Sequence, residues 1–165
     1  MVKTEKKANL KKILKELAAE LLGKLEIAAE IEVKEEKAKE NEQADHYEVV
    51  IQTQESGLLI GRHGESLNSL QLLLGVIVYK KVGQWVRVIV DIGDYRKMRE
   101  ESLKEMAVRI IEEVKTSGQP VAMPYLTPLE RRQIHVFLTD HESVMTESTG
   151  EGKDRRLIIK PRLSV

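Results

Sequence analysis

Two glycines three positions apart, Gly61 and Gly64, stand between stretches that both read as helix, and they restrict this chain more than any other feature. Ahead of them lies a short apolar piece, Gly57-Leu58-Leu59-Ile60. Behind them Leu67, Leu70, Leu74, Ile77 and Val78 recur at the 3.6-residue period of a long helix. Glycine accepts backbone angles that a Cβ forbids and lets a ligand come close to the main chain. The helix opening after Gly64 turns free N–H groups and the positive end of its dipole toward the loop. Arg62 adds a fixed charge and His63 a ring donor. Such a loop can clamp a phosphodiester backbone. The same four residues also suit a plain helix–helix bend, so the order of the surrounding elements decides between the two.

That order is specific. Leu10, Ile13, Leu14, Leu17, Ala18, Leu21 and Leu22 form one stripe over residues 7–23, closed by Gly23. Ile27, Ala29, Ile31 and Val33 then alternate with polar neighbours, which predicts a strand over 27–34. Residues 35–45 carry no apolar pattern and read as a solvated hairpin loop. A second strand is expected over 46–53, with Tyr47, Val49 and Ile51 on one face. After the glycine loop and its helix, a strand over 84–92 would bury Val86, Val88, Val90 and Ile92 and show Trp85, Arg87 and Asp91 on the other side. The first unit, residues 1–93, thus reads α-β-β-α-α-β.

A second unit is placed at 94–165. It opens with a helix over 96–116 whose inner stripe is Leu103, Met106, Ala107, Ile110, Ile111 and Val114, stopped by Ser117-Gly118. After a short strand at 120–123, Thr127-Pro128-Leu129-Glu130 is a capping box with Pro at the first helical position. The helix it starts should reach about Thr139, with Leu129, Ile134, Val136 and Phe137 supplying its core contact. Arg131 and His135, four apart, lie on one face with Arg132 nearby. An arginine fork beside a ring N–H can hold a phosphate jointly, although such a pair is also ordinary helix surface. Closing strands near 143–148 and 156–161 flank the turn 149–154. With no long linker at 93–96, the two units are expected to pack together.

Charge and composition narrow the function. Lys plus Arg number 27 and Asp plus Glu 27, so the net charge is zero with His neutral, and any polyanion site must be local. Aromatic residues make up 4%, too few for extensive base stacking. Cys is absent, which excludes disulfides, thiol catalysis and Cys-ligated zinc. His46, His63, His135 and His141 show no metal-ligand spacing, no Walker loop follows Gly61, and no nucleophile elbow surrounds Ser66. The chain is therefore expected to be no enzyme and to need no cofactor or metal. The N-terminus runs into an amphipathic pattern, and the longest apolar run, 72–79, is too short to span a bilayer. A cytoplasmic location without membrane insertion is expected.

The α-β-β-α-α-β order around Gly57-Leu58-Leu59-Ile60-Gly61-Arg62-His63-Gly64-Glu65-Ser66-Leu67 resembles a KH domain of the bacterial (type II) topology. In that family the loop grips about four nucleotides of single-stranded RNA or DNA, with bases on an adjacent apolar groove. By that resemblance Gly61 and Gly64 shape the clamp, Arg62 and His63 contact phosphates, and Leu59 and Ile60 line the groove. His63 stands where Lys or Arg is frequent, which implies weaker binding or a response to pH. The run from Tyr95-Arg96 through Pro124, the cap, Arg131-x-x-x-His135 and Thr146-Glu147-Ser148-Thr149-Gly150 to Ile159 resembles the small domain named for its Arg-x-x-x-His pair. There Arg131, Arg132, His135, Arg155 and Arg156 would hold a second stretch of backbone.

A KH unit followed by an Arg-x-x-x-His unit is the layout of the Jag, or SpoIIIJ-associated, family, and the resemblance covers roughly residues 7–163. It implies an α+β, non-enzymatic, bacterial RNA-binding protein linked to cell elongation or sporulation, with a small single-KH protein as partner for some members. Self-association, single-stranded DNA as ligand, and a protein-docking adaptor role stay open as alternatives. The extra N-terminal domain of many members is not matched here, so functions residing in it are not expected to carry over.

Overall fold

The computed structural model describes residues 2–37 and 46–162, and the chain divides into two compact units, Met1–Arg96 and Lys97–Val165. The first runs α1 (Val2–Lys24), β1 (Glu30–Glu36), β2 (His46–Gln52), α2 (Ser56–Ile60), a 3-10 turn at Arg62–Gly64, α3 (Glu65–Val82) and β3 (Val88–Ile92). Its sheet has the order β1-β2-β3, with β1 antiparallel and β3 parallel to β2. Tyr47, Val49 and Ile51 of β2 and Val88, Val90 and Ile92 of β3 are buried, as their alternation predicts. They pack with Leu14, Ala18 and Leu22 of α1 and with Leu67, Leu70, Leu74 and Val78 of α3. Each fully buried aliphatic side chain contributes roughly 1.5–3 kcal/mol.

Two boundaries differ from the periodicity. Ile27 is buried, but β1 begins only at Glu30 and continues to Glu36, which pairs with His46. Residues 35 and 36 therefore belong to the strand, and positions 38–45 of the expected loop lie outside the described residues. The last strand of the unit starts at Val88 rather than 84.

Asp91, expected on the solvent side, is buried. Its Oδ1 accepts from the N–H of Ile92 at 2.9 Å and of Arg96 at 3.2 Å, so it replaces lost water with two backbone donors. The neighbouring Val90 is held on both polar groups. Its N–H donates to Gln71 Oε1 at 3.0 Å, and its carbonyl accepts from Arg96 Nε at 2.9 Å.

The remaining elements are α4 (Tyr95–Ser117), β4 (Val121–Ala122), α5 (Pro128–Phe137), β5 (Val144–Thr149), a 3-10 turn at Gly152–Asp154 and β6 (Arg156–Pro161). The second unit's sheet is antiparallel with β6 in the middle, order β4-β6-β5. Leu103, Ala107, Ile110, Ile111 and Val114 of α4 form the expected stripe and meet Ile134, Leu138, Leu157 and Ile159 in the core. Both units mix helix and sheet, so the fold is α+β. Among the described residues no helix is long and apolar enough to cross a membrane.

Candidate nucleic-acid interface

The Gly61–Gly64 loop holds three of its four residues at positive φ. Gly61 takes φ 67°, ψ −171°, a combination open essentially to glycine. His63 sits at φ 54°, ψ 26°, and Gly64 at φ 78°, ψ 14°. Space closes Gly61 to a side chain and crowds Gly64. A Cβ on Gly61 would lie 2.2 Å from Ser66 Oγ, and one on Gly64 would lie 3.0 Å from the Tyr95 ring. Sequence alone marks Ser66 only as a first-turn residue of α3; its hydroxyl in fact fills the space that keeps Gly61 bare. Gly64 is the N-cap of α3 and has no side chain with which to cap it. The N–H of Glu65 already donates to the Arg62 carbonyl, and the N–H groups after it at the start of this 18-residue helix have no side-chain cap, a geometry that favours an anion. Arg62 is exposed beside them.

The groove residues separate. Leu59 is 5% exposed and belongs to the core, which corrects its expected place on a base-binding surface. The five-residue helix α2 has to anchor itself somewhere, and Leu59 is its buried contact. Ile60 is half-buried at the edge of that core.

On α5, the capping box is complete. Thr127 Oγ1 accepts from the Glu130 N–H and Glu130 Oε2 accepts from the Thr127 N–H at 2.7 Å. Glu130 is buried and also receives Arg99 Nε at 2.7 Å. Next along the helix, Arg131 is half-buried rather than exposed, because its Nη1 donates to the Leu126 carbonyl at 2.6 Å. A guanidinium has five N–H donors, so this bond orients the fork without exhausting it. His135, exposed, places Nδ1 2.5 Å from Thr146 Oγ1 of β5.

Thr146 and Ser148 pair with the buried Ile159 and Leu157 of β6, so both point to the face covered by the core. Arg155 Nε donates to Ser148 Oγ at 3.0 Å, which brings it to the same face as the His135–Thr146 contact. Arg156 pairs with Thr149 and falls on the opposite face. There its Nη1 donates to the Lys153 carbonyl at 2.7 Å and its guanidinium lies 5.7 Å from the Tyr125 ring centre. Arg155 and Arg156, expected to act together, are thus divided by the strand pleat. Arg132 is exposed on the outer surface of α5. Sequence reasoning misses Thr146 and Ser148 as members of the site; their two-residue spacing is the available signal.

The apolar residues of α5 also need correcting. Of the four expected in the core only Ile134 joins it, while Leu129 is 61% exposed, Val136 63% and Phe137 44%. A ten-residue helix shows the core one narrow stripe, which Glu130, Ile134 and the following Leu138 occupy. Leu129, Val136 and Phe137 instead border a cavity of about 400 Å³ between α4 and α5, with Leu103, Lys104 and Arg132. Among the described residues no cluster of His, Asp or Glu is arranged to hold a metal ion.

Comparison with known proteins matches both units. Residues 11–92 fit the KH domain of KhpA/KhpB, and residues 101–161 fit the R-3-H domain, the one named for its Arg-x-x-x-His pair. A protein from Clostridium symbiosum named RNA-binding protein KhpB is 31% identical over 159 residues, 96% of this chain and 69% of that protein. Its namesake in Lactiplantibacillus plantarum is 34% identical over 67% of this chain and 34% of that protein. The one in Bacillus subtilis is 32% identical over 64% of this chain and 52% of that protein. A KH domain of the KhpA/KhpB type followed by an Arg-x-x-x-His domain, with a KhpB protein aligned along nearly the whole chain, shows that this chain belongs to the KhpB (Jag) family.

Proposed function

We propose that this chain binds single-stranded RNA without catalysing a reaction on it, gripping the sugar-phosphate backbone at two places. The observation that carries the reading is the Gly61–Gly64 loop. Its backbone takes angles open essentially to glycine at Gly61 and left-handed ones at His63 and Gly64, and it brings the N-terminus of α3, which has no side-chain cap, and the exposed Arg62 to one spot. Ile60 supplies apolar surface at its edge for a base. His135 at Thr146 and Arg155 at Ser148, with Arg131 one turn before His135 on α5, form the second grip, with Arg132 outside them. Two weak sites on one chain reinforce each other through effective concentration. The relatives' printed name, RNA-binding protein KhpB, supports the same ligand class.

In the cell this makes the protein a cytoplasmic post-transcriptional regulator, tied to cell elongation or sporulation, with a small single-KH protein as partner. Crosslinking in cells followed by sequencing identifies the RNAs. In vitro, replacing Arg62 and His63 together with Asp should remove most single-stranded RNA affinity while leaving Tm unchanged. Asp tolerates the left-handed angles of position 63, so the loop is not broken by the change. Undiminished RNA affinity in that variant overturns the reading, as does a failure of the wild type to retain any single-stranded oligonucleotide at low salt. Single-stranded DNA, tried as competitor, tells whether the sugar matters.

A further inference from the structure

Helix α5 shows two faces to the outside, and the grip by Arg131 and His135 uses only one of them. At about 100° per residue, a circuit of the helix leaves the core stripe and meets Arg131, His135 and then Arg132. It goes on through Val136, Leu129, Gln133 and Phe137 before the core returns. Arg132 therefore stands roughly 60° from His135 on one side and roughly 60° from Leu129 on the other. It is exposed, and it borders the cavity of about 400 Å³ between α4 and α5. The core residues Leu103 and Ile134 close that cavity on the inside, and the exposed Leu129, Val136 and Phe137 wall it. An apolar hollow of this size with a few polar groups around it is the usual form of a small-ligand site.

Charge and shape name the ligand. Among the described residues of the lining, Arg132 and Lys104 are cations, and the one carboxylate, Glu100, is held by Lys104 Nζ at 2.6 Å. Lys104 Nζ also lies 5.9 Å from the centre of the Phe137 ring, which keeps 44% of its surface open. Gln133 adds an amide that both donates and accepts, as the edge of a base does. The geometry points to this cavity as a pocket for one nucleobase of the strand that Arg131 and His135 grip, with Arg132 holding the phosphate between the two. The inference rests on the RNA-binding reading and extends it. A strand leaving His135 crosses the outside of one helix, about 10–12 Å across with its side chains, passes Arg132 and lays a base against Phe137. Continuity through Arg132 selects a nucleic acid over an apolar protein segment, which has no use for a cation shared with the Arg131–His135 face. Stacking on one ring accepts any base, and a single such pocket suits a chain whose only phenylalanine is Phe137.

The test titrates the full chain with a short oligouridine and with the same ribose-phosphate strand lacking its bases. Phe137→Leu keeps the apolar bulk but removes the ring, and should weaken binding of the intact strand about tenfold. It should bind the baseless strand as the wild type does, so that the two losses are not additive. Phe137→Tyr, which restores the ring, should bind close to wild type. Leu129→Ala, at a position 61% exposed on the wall, should cost about threefold and carries the test should Phe137→Leu not fold. Salt separates the roles: Phe137→Leu should leave the slope of log Kobs against log salt unchanged, whereas Arg132→Ala should flatten it by about 0.7, one phosphate's share. If the wild type binds RNA and both Phe137→Leu and Leu129→Ala bind it equally well, the pocket is overturned while the RNA-binding reading stands, and the cavity is left to an apolar protein segment. A Phe137→Leu loss just as large on the baseless strand overturns it too, because the ring then acts only by shaping α5. A wild type that retains neither strand overturns both readings at once.

Discussion

Arg99 and Glu130 bind α4 to the first turn of α5: the Arg99 Nε donates to Glu130 Oε1 at 2.7 Å while the other carboxylate oxygen closes the capping box on Thr127. One buried side chain thereby fixes where α5 starts and how it is held. The helix that carries Arg131 and His135 takes its position from a neighbouring carboxylate rather than from the pair itself.

Glu130→Ala should therefore cost more than an ordinary cap. It removes a charge-assisted bond, leaves the half-buried Arg99 without this carboxylate, and opens the Thr127 N–H. The expected loss is about 2–4 kcal/mol in urea unfolding, against about 1 kcal/mol for Thr127→Ala. Equal losses for the two would show that the Arg99 contact adds nothing.

The glycines of the KH unit should sort by geometry. Gly61→Ala meets both a forbidden angle and the Ser66 side chain, and should cost about 1–3 kcal/mol while abolishing RNA binding. Gly57→Ala, in α2 with nothing within 4 Å, should leave binding intact and be neutral or stabilising by up to about 1 kcal/mol. Thermal melts paired with a binding titration check both.

Backbone recognition predicts a measurable salt law. With about four to six phosphates neutralised, log Kobs should fall against log salt with a slope of about −3 to −4 on single strands. Arg131→Ala with His135→Ala should flatten it by about 0.7–1.4, the share of one or two contacts. An unchanged slope would remove the second grip from the site.

At the surface of α1, the hydrogen bond and charge of Lys24 hold the Glu20 carboxyl below the usual carboxylate range. A depressed folded value makes the pair's contribution complete above the ordinary carboxylate pKa, and it is lost as pH falls through the lower folded one. Lys24→Gln should return the Glu20 titration, followed by NMR, toward the ordinary value.

Elements with a single buried stripe are readable from periodicity alone. In α4 the predicted residues are nearly all buried ones, and at Thr127–Glu130 the cap chemistry announces its helix. Periodicity fails where something other than apolar burial decides. Asp91 is buried because two N–H groups meet it, and hydrogen bonding leaves no trace in a hydropathy pattern. Leu129, Val136 and Phe137 look like core residues, yet the α5 core stripe is filled by Glu130, Ile134 and Leu138. The residue types of the site are legible: paired glycines, Arg62, and the Arg131–His135 spacing. Alternation alone parts Arg155 from Arg156, but which of them joins Thr146 and Ser148 depends on β5–β6 register, which only the folded chain supplies.

The side-chain bonds at Val90 have one more effect. In the sheet of the first unit, β3 is a boundary strand, and Gln71 and Arg96 occupy its amide and carbonyl at the middle. The opposite boundary, β1, carries Glu30, Glu32, Lys34 and Glu36. Neither rim offers a clean template for a stray strand. Copies at high local concentration would therefore resist fusing into fibrils, the usual hazard of a sheet with open ladders.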